Sequence, residues 1–182
     1  VMKECGKWPL LFVSFANVKA ETYKGALQQF NIIFSKILST LESMKIDFSP
    51  ADLDFYRKIS IDMEHGITSS CLGYYCKWLS DHYGKKVIVL IDEYDTPMQE
   101  AYVNGYWDEL VGFMRNMFNS TLKTNPYLEK ALMTGITRVS RESLFSDLNN
   151  LNIVTISSEQ YADCFGFTEK EVFEALDDYG YG

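Results

Sequence analysis

The sequence predicts an α/β fold of three layers, a mostly parallel sheet flanked by helices, and three observations carry that prediction. Val87 to Ile91 is a run of five apolar residues, four of them β-branched, the pattern of a central strand buried on both faces. Segments of helical periodicity separate the apolar runs, as the crossovers between parallel strands require. With 182 residues, 47% hydrophobic and 15% aromatic, the chain has enough apolar material for one well-buried core, so a single domain over 1–182 is expected.

The elements follow in order. Pro9 to Phe15, P-L-L-F-V-S-F, reads as a first buried strand. From Thr22 to Met44 apolar residues recur at steps of three and four, Phe30, Phe34, Leu38 and Leu41 among them, giving a long amphipathic helix. Ser49-Pro50 puts a serine cap and a first-turn proline at the start of a short helix, and Asp62 to Thr68 reads as a loop. Ile67 to Tyr83 reads as a helix that Gly84 ends in the left-handed region, leading into a strand from Lys86 to Ile91. After Pro97 a helical pattern runs from Tyr106 to Leu122, its Phe and Met residues being core packing. Ala131 to Ile136 and Ile153 to Ile156 read as third and fourth strands. Thr168-Glu169-Lys170-Glu171 is a capping box that opens a last helix, to about Tyr179.

Charge and cysteine content narrow the partners. The net charge of -8 and the absence of basic runs argue against duplex nucleic acid as a direct partner of this segment, because neutralising phosphates needs a basic surface. Cys5, Cys71, Cys76 and Cys164 have no C-x-x-C spacing and no histidine pair nearby, so free buried thiols are expected rather than a zinc or redox site. Five residues apart on a helix, Cys71 and Cys76 lie about 140° apart around its axis, which argues against a shared face. No apolar stretch approaches the roughly 18 residues of a membrane span, and the expected compartment is cytoplasmic. His65 and His82 stand apart from any catalytic constellation.

The end of the Val87–Ile91 run holds the chemistry. Ligands of open α/β sheets bind outside the carboxyl ends of the strands, where Asp92 and Glu93 stand. V-I-V-L-I-D-E has the form of a Walker B strand. An acid at such a tip holds Mg2+ while the metal neutralises phosphate charge, the role that fits Asp92. The next carboxylate leaves the strand in another direction and can polarise an attacking water, the role that fits Glu93. The plain alternative is a solvated acidic turn stopped by Pro97. The matching phosphate loop, G-x-x-x-x-G-K-[ST], is absent: Gly6-Lys7 has Val1 where the first glycine belongs, and Gly84-Lys85 has Leu79. That loop is expected upstream of Val1.

Several strings together resemble the AAA-ATPase-like proteins of bacteria and some other microbes, a P-loop NTPase group often fused to a nuclease-like C-terminal domain. They are Leu90-Ile91-Asp92-Glu93-Tyr94-Asp95-Thr96-Pro97, Thr134-Gly135-Ile136-Thr137-Arg138, Leu144-Phe145-Ser146 with Leu148-Asn149-Asn150, and Phe165-Gly166-Phe167-Thr168 with Glu171-Val172. Four strings in the family's order and spacing are far more specific than one acidic strand tip. The resemblance covers nearly the whole chain and implies the latter part of an ATPase core, with ATP and Mg2+ as cofactors. An attached nuclease-like domain or a protein partner is also implied.

Within T-G-I-T-R, a polar residue ending the strand beside the acids commonly contacts the γ-phosphate or the attacking water. Thr134 is the first candidate and Thr137 the second. Arg138 offers a bidentate cation to phosphate or, alternatively, an ion pair to Asp92, Glu93 or Asp95. Gly135 supplies conformational freedom after the strand, and Asp95 caps the turn before Thr96-Pro97. The candidate set is thus Glu93 and Arg138 as catalytic residues, Asp92, Thr134 and Thr137 toward nucleotide, and Asp92 toward metal. The leading expectation is an ATPase in the full-length protein, with this segment inactive alone. The alternatives are a nucleotide-gated scaffold that does not hydrolyse, and a two-metal nuclease built on Asp92, Glu93 and Asp95, which the acidic balance disfavours.

Overall fold

Three parallel strands form one sheet in the order β1-β2-β3 in a computed structural model of the chain: β1 is Leu10–Ser14, β2 is Val87–Asp92 and β3 is Leu128–Met133. The structure describes all residues except 1–4, 137–143, 146–147, 149–150, 156, 163, 165 and 182. The chain divides into two compact units, 1–148 and 149–182.

In the first unit, α1 (Tyr23–Ser43), α2 (Pro50–Tyr56) and α3 (His65–Tyr83) connect β1 to β2, and α4 (Thr96–Asn104) and α5 (Trp107–Leu122) connect β2 to β3. The expected α/β class, a parallel sheet flanked by helices, is what the structure has. Strand order runs in one direction, so right-handed crossovers put both sets of helices on the same face. Burial follows that rule. Leu11, Val13, Val87, Val89 and Ile91 are buried, whereas Leu10 and Phe12 are 55% and 56% exposed. The expectation that β2 is buried on both faces is therefore corrected: its residues alternate between buried Val87, Val89 and Ile91 and half-buried Ile88 and Leu90.

The covering layer is built on aromatic residues. Phe30 of α1 meets Phe15 edge-on at 5.0 Å and Phe113 of α5 at 4.8 Å between ring centroids. Helix α1 starts where Thr22 accepts a hydrogen bond from the Gly25 N–H at 3.2 Å, a cap that satisfies one of the four orphan donors of a helix start. Helices α3 and α5 approach closely at Gly73, where an added Cβ would stand 3.0 Å from the Ser120 carbonyl oxygen. Gly84, at φ +63°, ends α3 as expected, since only glycine enters that region without steric cost.

Several boundaries differ from expectation. Helix α3 begins at His65, inside the stretch read as a loop. Cys71 and Cys76 are both buried despite their angular separation, because the buried positions of α3, from Thr68 to Leu79, spread over about half its circumference. Burial pushes both thiols up to about 12, while Cys5 and Cys164 are exposed rather than buried. Helix α4 was not expected at all. The third strand lies three residues earlier than Ala131–Ile136.

In the second unit, residues 151–155 form no strand, which removes the described part of the expected fourth one; Ile156 lies outside the described residues. The last helix, α6 (Glu169–Asp178), carries its capping box: the Thr168 N–H donates to Glu171 Oε2 at 2.7 Å and the Glu171 N–H to Thr168 Oγ1 at 3.3 Å. Among the described residues, no helix is long and apolar enough to cross a membrane.

Candidate functional site

Parallel pairing fixes which side chains meet at the carboxyl edge of the sheet. Ser14 is the register partner of Asp92. The ladder continues past the strand ends: the Phe15 N–H donates to the Asp92 carbonyl at 2.9 Å, and the Thr134 N–H donates to the Ile91 carbonyl at 2.9 Å. Ser14, Asp92 and Thr134 thereby form one row on the face that the helices leave open. Asp92 Oδ1 accepts from Thr134 Oγ1 at 2.8 Å and Asp92 Oδ2 accepts from Ser14 Oγ at 3.2 Å. A central carboxylate is bracketed by hydroxyls from both neighbouring strands.

Glu93 turns the chain off the sheet. Its φ of +50° places a non-glycine residue in the left-handed region, at a cost of about 1–2 kcal/mol. Strain of this kind clusters at functional sites. Its Oε2 accepts from Thr96 Oγ1 at 2.9 Å, which holds the side chain against the first turn of α4.

Asp95 corrects the sequence reading. It occupies the N-cap position of α4 but makes no side-chain cap bond there. Its carboxylate, 1% exposed, turns back instead, and Oδ2 accepts from the Ile136 N–H at 3.1 Å and from Gln99 Nε2 at 2.9 Å. Gly135 is also corrected. Its requirement is space rather than conformational freedom: an added Cβ would lie 2.5 Å from Asp95 Oδ1 and 2.9 Å from Tyr94 Cε1. The Tyr94 N–H completes the junction, donating to the Thr134 carbonyl at 3.1 Å.

The structure therefore brings together Asp92 and Thr134, with Glu93 next in the chain. Thr137 and Arg138 lie outside the described residues, as do Ser146, Asn149, Asn150 and Phe165 of the resembling strings. Phe145 is buried, its ring 5.5 Å from that of Tyr94 and 5.7 Å from that of Phe118. Asp95 Oδ2 is engaged by the Ile136 N–H and by Gln99 Nε2. Among the described residues, no group of three or more His, Cys, Asp or Glu is placed to hold a metal. Sequence reasoning missed Ser14, although a hydroxyl at the end of the first buried strand, one strand from the acids, was a usable signal.

A sequence model of the family described as "Predicted AAA-ATPase" matches residues 1–145. An uncharacterized protein in the vnfD 5' region of Azotobacter chroococcum mcd 1 is 33% identical over 90 residues, which are 49% of this chain and 17% of that protein. The match thus spans about a sixth of that relative's length. No solved structure matches the chain.

Proposed function

This chain belongs to the predicted AAA-ATPase family, and on that premise we propose that the carboxyl edge of its sheet is the hydrolytic side of a Mg-ATP site. The observation that carries the reading is the Ser14–Asp92–Thr134 row, a carboxylate held in one orientation by two hydroxyls at a strand tip. The donor set fits Mg2+. Carboxylate and hydroxyl oxygens are hard ligands, and Mg2+ takes one or two carboxylates together with phosphate oxygens and keeps several waters. When bound, the metal supplies charge neutralisation at the β- and γ-phosphates.

Each residue has a distinct task in this reading. Asp92 would hold the metal, directly or through water. Glu93, displaced from the sheet direction by its left-handed backbone, polarises the attacking water as a general base. Thr134, one hydrogen bond from Asp92, reads the γ-phosphate, with Thr137 as the second such hydroxyl. Arg138 stabilises transferred charge as a bidentate donor.

The test is ATP turnover and Mg-ATP binding by calorimetry in the full-length protein. Glu93→Gln lowers turnover about 10²- to 10⁴-fold, the range for losing a general base, and keeps nucleotide binding. Wild-type turnover by that variant contradicts the assignment. Negligible turnover by the unsubstituted protein, with nucleotide-dependent binding of a partner, identifies a nucleotide-gated scaffold instead.

A further inference from the structure

The turn after β3 is fastened to the start of α4 by a carboxylate that takes no part in the proposed chemistry. We propose that Asp95 is a positioning residue: it latches Thr134–Ile136 to α4 and so holds the Thr134 hydroxyl on Asp92 for ATP hydrolysis, a role that rests on the functional reading above.

Three independent features converge on this latch. Asp95 is buried, and a buried carboxylate is tolerated only where hydrogen bonds compensate its lost hydration. Its Oδ2 accepts from donors on two different elements, the Ile136 N–H and Gln99 Nε2 of α4. Both bonds end on one buried oxygen, so the backbone after Thr134 is tied to the first turns of α4 rather than held only by a surface turn. Gly135 supplies the second feature. The absence of a Cβ there lets the turn lie against the Asp95 carboxylate and the Tyr94 ring, a closeness no other residue allows. The third is the Tyr94 N–H bond to the Thr134 carbonyl, which fixes the same residue whose hydroxyl reaches Asp92.

The prediction concerns rate rather than affinity. A group held through its neighbour acts on orientation, and a misplacement of about 1 Å costs on the order of 100-fold in rate. In the full-length protein, Asp95→Ala and Gly135→Ala should each lower kcat by about 10- to 100-fold while the ATP dissociation constant stays within about threefold. Both variants should also speed amide exchange at Ile136 without loosening α3, a local opening rather than a global one. Asp95→Asn keeps an acceptor oxygen in place and should restore kcat to within about threefold of wild type.

Wild-type kcat in Asp95→Ala overturns the role, as does an Asp95→Asn variant no better than alanine. Parallel loss of kcat, ATP binding and α3 protection also overturns it, since that pattern marks a purely structural residue. The two readings separate cleanly. A wild-type protein that hydrolyses ATP through Glu93 but is indifferent to Asp95→Ala refutes the latch alone, whereas a wild-type protein without turnover refutes both.

Discussion

The two faces of the sheet divide the work of the first unit. One face, Leu11, Val13, Val87, Val89 and Ile91, is sealed beneath the helices, and its contribution is stability. The other carries Leu10, Phe12 and Leu132, each more than half exposed, and ends in the Ser14–Asp92–Thr134 row. The same strands serve both because successive side chains point to opposite faces. The covered face fixes the strand register, and the register alone brings three polar tips into hydrogen-bonding distance on the open face. A slip of one residue would exchange the two sets.

The difference is measurable by substitution. The largest effect belongs to the covering layer: Phe113→Ala, at a fully buried ring packed on Phe30, should cost about 3–5 kcal/mol in urea unfolding. Next is the polar pair beneath α2. Lys77 Nζ lies 2.7 Å from Asp52 Oδ2, and Asp52→Ala should cost about 1.5–3 kcal/mol.

That pair also predicts a pH profile. Burial alone would raise the Asp52 pKa, but hydrogen bonds from Lys77 and Ser49 outweigh it and hold the carboxyl below its ordinary 3.8. Burial alone would lower Lys77, and the Asp52 and Asp81 carboxylates hold it above its ordinary 10.5. A depressed acid stabilises the fold above its unfolded pKa and ceases to do so as pH falls through the folded one. A raised base stabilises below its unfolded pKa and ceases to do so as pH rises through the folded one. The stability gap between wild type and Asp52→Ala should therefore be flat between these limits and close in acid below about pH 4. A gap that persists undiminished there would contradict the pairing. The smallest effect lies on the open face, where Phe12→Ser should change stability by less than about 1 kcal/mol; a loss matching that of Phe113→Ala would abolish the contrast between the faces.

What the sequence revealed followed from local pattern. Periodicity gave α1 and α5, Gly84 marked the end of α3, the capping box announced α6, and β2 was visible as a β-branched run. Helix α4 was hidden because Pro97 reads as a stop, although proline suits a first turn, and because only Pro97, Met98 and Ala101 are buried along it. Strand β3 was placed too late because Glu129 and Lys130 interrupt its apolar pattern, while Ile136, 91% exposed, extended that pattern falsely. At the candidate site, Asp92 and Glu93 were legible as acids ending a strand, and Thr134 as the polar end of its neighbour. Ser14 was marked only by its place at the end of the first buried strand, and its bond to Asp92 spans 78 residues of sequence, while the latch at Asp95 rests on a contact across 41 residues that no local pattern encodes.

The most direct measurement compares ATP turnover and thermal stability of the full-length protein with those of Asp92→Asn. If the open-face row is functional rather than structural, turnover falls by at least about 100-fold while the melting temperature stays within about 2 °C. Unchanged turnover with a lowered melting temperature would make Asp92 a structural acid and contradict the account.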